Sequence, residues 1–169
     1  NESVHIPVVI SQTGLEECVY NDFHVGEGAD VLIVAGCGIH NSGDKLSRHD
    51  GIHTFYIEKN ARVKYVEKHY GKGDGNGENV MNPTTIVNIA EGGFMEMETV
   101  QIKGIDSTNR ITKAKLEKDA KIVITERIMT HGKQEATTRF EVDMNEDGSR
   151  PNVENRTEPK ENSKQTIYS

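Results

Sequence analysis

Cys37, His40, His49 and His53 lie close together in one segment, GCGIHNSGDKLSRHDGIH (36–53). Thiolate and imidazole together suit zinc or iron–sulfur chemistry. A metal ion, however, needs its ligands within about 2–2.3 Å of one point. On a straight strand His49 and His53 point the same way, and four residues at roughly 3.3 Å each hold them about 13 Å apart. They cannot share an ion unless the chain bends at Gly51. Glu58 has the opposite phase to His53, so a His/His/Glu set fails as well. Cys37 and His40, three apart beside glycines, can close on one metal. Cys18, in GLEECVYNDF, has no histidine in register and reads as structural.

Two further patterns carry chemistry in principle. DMNEDGSRPNVE matches a calcium loop, with Asp143, Asn145, Asp147 and Glu154 as ligands around Gly148. Such a loop needs a helix on each side, whereas the upstream TTRFEV alternates as a strand and Pro151 falls inside the loop. The match is therefore read as a decoy. Glu96 and Glu98 share a strand face, with Glu67 and Glu126 in nearby rows. That is the kind of carboxylate row a solenoid lyase or hydrolase uses, although alternating glutamates on a solvated face explain it more simply. GKGDGNGEN (71–79) reads as a flexible insertion.

The elements that must position these residues show in an internal repeat. VGEGADV (25–31), IEKNARV (57–63), IAEGGFM (89–95), LEKDAKI (116–122) and MNEDGSR (144–150) align without gaps, at offsets of 32, 32, 27 and 28. The fourth position holds Gly28, Asn60, Gly92, Asp119 and Asp147, the residue types that tolerate the left-handed backbone of a tight corner. Small residues follow it.

The flanks alternate with period two, as strands do. Before the corner one face reads Phe23/Val25, Phe55/Ile57, Val87/Ile89, Ala114/Leu116 and Val142/Met144. After it the inward phase reads Val31/Ile33, Val63/Tyr65, Met95/Met97 and Ile122/Ile124. Stacked in register, these form apolar ladders, so the spacing predicts an all-β solenoid, a parallel β-helix. An antiparallel meander with hairpin corners is the alternative. In the stacked reading Cys37 and His69 share a column and become neighbours on adjacent rungs. A partial metal or iron–sulfur contact of Cys37, His69 and His40 follows as an expectation.

Residues 1–149 are read as the β-helix core and 150–169 as a polar tail or irregular last coil. The 169 residues suffice for one domain with a modest core, and 34% hydrophobic content with 16 glycines suits thin repetitive β-structure. A net charge of −7 argues against nucleic acid or an anionic membrane as the main partner. No apolar run reaches the roughly 18 residues of a spanning helix, no signal peptide is visible, and two cysteines are too few for a disulfide scaffold. The expected location is cytoplasmic. Neither end of the solenoid carries a cap, which suggests a piece of a longer protein or one that docks end to end.

Several separated segments, among them DVLIVAGCGIHNSG, SRHDGIHTFYIEKNARVKYVEKHYG, MEMETVQIKGIDSTNR and ITERIMTHGKQEATTRFEVDMNEDGS, resemble the core of the SufB/SufD family of iron–sulfur cluster assembly proteins. The short clostridial and archaeal members are the most similar, and the resemblance runs from about Ile6 to Ser149. It implies a right-handed parallel β-helix and a non-catalytic scaffold for a transient iron–sulfur cluster or iron. The implied partners are a SufC-type ABC ATPase and a SufB/SufD-type paralogue or second copy. Full-length relatives continue with further β-helix, a helical tail, and the later Cys, His and Glu residues usually assigned to cluster assembly. No residue here inherits those assignments. Outside the resemblance, the alternatives are a β-solenoid carbohydrate-active enzyme or a calcium- or metal-binding structural module.

Overall fold

The computed structural model describes residues 3–144, 149–159 and 164–168. The strands run in chain order as β1 (Ser3–Ile10), β2 (Glu16–Val25), β3 (Asp30–His40), β4 (Ser47–Ile57), β5 (Arg62–Lys72), β6 (Asn79–Met81), β7 (Thr84–Ile89), β8 (Phe94–Gln101), β9 (Ser107–Leu116), β10 (Lys121–Thr130), β11 (Glu135–Met144), β12 (Arg150–Pro159) and β13 (Lys164–Tyr168). One sheet has the order β1-β3-β5-β8-β10-β12. The other stacks β2, β4, β6 with β7, β9, β11 and β13. One strand from each sheet makes a rung, from β1/β2 as the first to β12/β13 as the sixth.

Every pairing is parallel. The antiparallel meander is thereby excluded, and the chain is a parallel β-helix. Its register follows the repeat: Val25, Ile57, Ile89, Leu116 and Met144 are successive partners. The alternation of side chains then forces like onto like, because a one-residue slip would turn every ladder outward.

The corners explain the register. Gly28, Asn60, Gly92 and Asp119 all have positive φ, at 66°, 57°, 68° and 56°. Each sits third in a turn closed by an i→i+3 hydrogen bond, as from Ala61 N–H to Glu58 C=O at 3.1 Å. A single left-handed residue at that place defines a type II turn. Corner backbones also bond from rung to rung, Gly28 N–H to Lys59 C=O and Asn60 N–H to Glu91 C=O. The fifth corner, around Asp147, lies outside the described residues.

At the opposite corner the glycine-rich segment is not a loose insertion. Gly77 N–H donates to Gly43 C=O at 2.9 Å and Gly75 N–H to Asn41 C=O at 3.3 Å. A Cβ on Gly71 would lie 1.7 Å from the Gly104 carbonyl oxygen, and one on Gly77 only 2.1 Å from that of Lys45. The glycines let successive loops stack backbone to backbone, as the strands do.

Side chains fill the thin interior in bands. Next to the tight corner is a large apolar cluster that includes Phe55, Ile57, Tyr65, Ile89, Met97, Leu116 and Ile124. Nearer the glycine-rich corner is a smaller one of Ile10, Cys37, Ile39, Met81 and Ile105. Between them the inward columns are polar: Ala35–Glu67–Thr99–Glu126, and the neighbouring Cys37–His69–Gln101–Ile128. Met144 keeps the inward phase of its ladder but is half exposed, against expectation. Within the segment read as tail or irregular coil, Arg150–Pro159 and Lys164–Tyr168 supply the strands of the sixth rung. Pro151 lies on the outermost strand of its sheet, where a missing N–H breaks no ladder.

Replacing Gly71 by Ala should cost about 1–3 kcal/mol, the usual penalty of forced overpacking. Urea denaturation checks this, with Gly26→Ala, where nothing opposes a Cβ, as the tolerant comparison.

Candidate functional site

The polar band is built by simple alternation. On β5 the inward residues are Val63, Tyr65, Glu67, His69 and Gly71. On β9, across the interior and one rung later, they are Thr108, Arg110, Thr112, Ala114 and Leu116. β4 contributes His49 and His53, β3 contributes Cys37, and β10 contributes Glu126. The band therefore crosses the second to fifth rungs, roughly 14 Å at about 4.8 Å per rung.

Cys37 and His69 are direct partners on adjacent strands, as the register predicts. Glu67 joins them: the ligand atoms of Cys37, Glu67 and His69 all lie within 4.8 Å of one another, and all three residues are buried. His40 does not take part. The segment around Cys37 is strand rather than loop, so a residue three positions on faces outward. His40 is exposed and its Nε2 lies 3.0 Å from Ser42 Oγ.

Glu67 is the hub. Its Oε1 accepts from Tyr65 Oη at 2.9 Å and lies 3.3 Å from His69 Nε2 and 3.6 Å from His53 Nε2. Its Oε2 accepts from Arg110 Nη2 at 3.2 Å. Arg110 also donates through Nη1 to His69 Nδ1 at 2.9 Å and through Nε to Glu126 Oε1 at 3.2 Å. Thr138 Oγ1 donates to Glu126 Oε2 at 3.1 Å. A guanidinium has no acceptor, so Nδ1 of His69 carries the lone pair and Nε2 carries the proton, directed at Glu67.

His49 and His53 also converge. Gly51, between them on the inward face, leaves room that both rings lean into. A Cβ there would lie 3.1 Å from His53 Nε2 and 3.5 Å from His49 Nε2. The rings thus approach more closely than a straight-strand estimate allows. His49 Nδ1 pairs with Glu17 Oε1 at 2.9 Å, and the Asn21 amide nitrogen lies 3.3 Å from His53 Nδ1. His53 Nε2, Thr99 Oγ1 and Gln101 Oε1 are buried without a hydrogen-bond partner among the described residues.

Burial sets the protonation states. It pushes the Cys37 thiol up to about 12, with the Glu67 charge adding to the effect. It lowers His53 and His69 below the ordinary imidazole value, outweighing the pull of Glu67. Burial alone would raise the Glu67 carboxyl, but His69 and Arg110 overcome it and hold the group below the usual carboxylate range. Tyr65 is held well above its ordinary value by burial and by Glu67. The resting interior therefore has a neutral Cys37 thiol, neutral His53 and His69 imidazoles and an ionised Glu67. Among the described residues Arg110 is the one buried guanidinium or ammonium, and Glu67 and Glu126 are the buried carboxyl groups.

The remaining expectations sort by phase. Glu96 and Glu98 face outward and pair with Lys64 at 3.1 Å and Arg127 at 2.7 Å. Glu67 and Glu126 face inward, so the four do not form a row. Asp143 lies exposed on β11, and strands flank the calcium-loop match where an EF-hand needs helices. Asn145 and Asp147 fall outside the described residues, as does the Glu154 side chain. Cys18 is exposed rather than part of the core. Arg110 was missed as a site residue, and Glu67 and Glu126 were read only as members of a carboxylate row on a solvated face, although counting by twos from Tyr65, Ala114 and Ile124 places all three inside.

No protein-family model, curated protein or solved structure matches the chain.

Two outcomes follow. The unfolded chain takes up protons on His53 and His69 near 6.5, which the folded interior resists until lower pH. Unfolding therefore consumes protons, and stability falls as pH drops below 6.5. Glu67, which stays ionised in the fold, extends the loss below its ordinary 4.5. Thermal melts between about pH 7 and pH 5 should show this slope, flattened in His53→Asn. Arg110→Met, which strips both buried carboxylates of their guanidinium, should cost about 3–5 kcal/mol in denaturant titration.

Proposed function

We propose that this chain is a non-catalytic scaffold module of a SufBCD-type iron–sulfur assembly complex. In this reading an ABC-type ATPase supplies the energy. A SufB/SufD-type paralogue or a second copy completes the assembly in the cytoplasm. Iron and sulfide are cargo, held for a time and passed on. Three things support it: the separated segments that resemble the family, the parallel β-helix that the resemblance implies, and the placement of Cys37 against His69.

The last observation carries the most weight. Soft thiolate and imidazole are the donors iron–sulfur chemistry calls for, and the rung spacing brings the Cys37 thiol, which ionises on binding, together with an imidazole and a carboxylate in the buried interior. The carbohydrate-enzyme alternative has no comparable support. It needs an acid and a base on one accessible face, and the inward and outward glutamates are divided between two.

The test is anaerobic reconstitution of the protein with iron and sulfide, with and without Cys37→Ser. Sulfide-to-iron absorbance near about 400 nm that falls by more than half in the variant, together with copurification of an ABC-type ATPase, is the expected result. Equal absorbance in both proteins would remove Cys37 from the reading.

A further inference from the structure

We propose that Cys37, Glu67 and His69 form a mononuclear site for a thiophilic divalent cation, and that Arg110 is its latch. The inference rests on the reading of this interior group as a cargo contact, and it adds how the group is kept closed.

The ligand set is one soft sulfur, one imidazole and one carboxylate, with atoms within 4.8 Å of one another. Tetrahedral zinc or cobalt with bonds of 2.0–2.3 Å needs ligand edges of roughly 3.3–3.8 Å, so side-chain shifts of about 1 Å complete the site. Three protein ligands leave a fourth position for a second, exchangeable donor.

Arg110 stands in the way at two of the three ligands. Its Nη1 holds the lone pair of His69 Nδ1 at 2.9 Å, and its Nη2 holds Glu67 Oε2 at 3.2 Å. The first contact fixes the proton on Nε2, the nitrogen on the Glu67 side, which then has no lone pair for a metal. The guanidinium thus occupies the site with its own positive charge, and the cation must displace it.

The fold provides somewhere for the guanidinium to go. Arg110 lies on the fourth rung, between Glu67 on the third and Glu126 on the fifth. Its Nε is already bonded to Glu126. On its own rung, in the columns of Glu67 and His69, lie Thr99 and Gln101. The Thr99 Oγ1 and Gln101 Oε1 atoms are buried acceptors without partners among the described residues, the kind of group that is costly to leave unmade. When the cation arrives, Nη1 and Nη2 turn to these oxygens and Nε keeps Glu126. The His69 proton moves from Nε2 to Nδ1, freeing Nε2 for the metal. Cys37 S–H gives one proton to solvent, and its thiolate forms the metal–sulfur bond. Charge and atoms balance: one divalent ion in, one proton out, no change in oxidation state.

The test is titration of the full chain with cobalt(II) alone, anaerobically and without sulfide or ATPase, read by the thiolate-to-cobalt charge-transfer band. Wild type should bind one cobalt, release one proton and show the band, which Cys37→Ser should abolish. R110K keeps the positive charge but cannot span His69, Glu67 and Glu126 together, so it should bind cobalt at least about tenfold more tightly and take it up faster. R110M/E126Q removes one charge of each sign and should change in the same direction; it serves as the second variant where circular dichroism shows R110K unfolded. Absence of the band in wild type and every folded variant overturns the site. Equal affinity and uptake rate in wild type and the folded Arg110 variants overturns the latch. Failure here alongside successful iron and sulfide assembly would leave the scaffold reading intact. Cobalt binding without cluster assembly would do the reverse.

Discussion

The polar band inside this solenoid is arranged around one ionised carboxylate. A lone Glu67 in an apolar tube would be neutral, because the desolvation cost of its charge is prohibitive. It is ionised because Tyr65, His69 and Arg110 surround it with donors at 2.9–3.3 Å. Each donor is in turn held by something else. Arg110 is tied to Glu126, Glu126 to Thr138, and His69 to both Glu67 and Arg110. The network crosses several rungs, so removing one member leaves its neighbours with uncompensated charge rather than merely one contact fewer.

That network can exist only because the backbone leaves no freedom in register. A parallel β-helix stacks each residue on its equivalent one coil away. Four successive left-handed corner residues, at Gly28, Asn60, Gly92 and Asp119, restart the count identically each time. The two apolar clusters on either side of the band exclude water and clamp its width. On the far side, the stacked glycine loops bring successive turns into backbone contact, so the tube is tied at both corners. Arg110 can bridge the third and fifth rungs because the fourth places it between them every time the chain folds.

The parts of this architecture that were legible in the sequence are those governed by short periods. The corners, the ladders and the Cys37–His69 pairing all follow from an alternation of two and an offset of 32. Three features were not legible, for separate reasons. His40 was misplaced because glycines beside Cys37 read as loop, whereas Gly36 and Gly38 lie within a strand. The convergence of His49 and His53 depends on ring rotamers leaning over Gly51, which strand spacing does not describe. Glu67, Arg110 and Glu126 have the inward phase in plain view, but charge is ordinarily an outward signal. Only their mutual neutralisation, a property of three strands together, reverses it.

The energetics of the band bear on why it is there. Replacing a buried ion pair with well-packed hydrophobic residues is often neutral or stabilising by about 1–4 kcal/mol, and the flanking columns show that Ile, Met and Val fit the same tube. Tyr65, Met97 and Ile124 form such a column one step away, without a charge in it. A solenoid selected for stability alone would continue that pattern through Ala35, Glu67, Thr99 and Glu126. It instead places a carboxylate, a thiol, imidazoles and a guanidinium together, and leaves Thr99, Gln101 and His53 with unmet hydrogen bonds. Unmet polar atoms in a buried interior are a cost with no structural return, and these lie on the second and fourth rungs, beside Cys37 on the second and Glu67 and His69 on the third. In the proposed reading the arrangement is a device whose second state, with a cation taken in and the guanidinium turned aside, satisfies what the first leaves open.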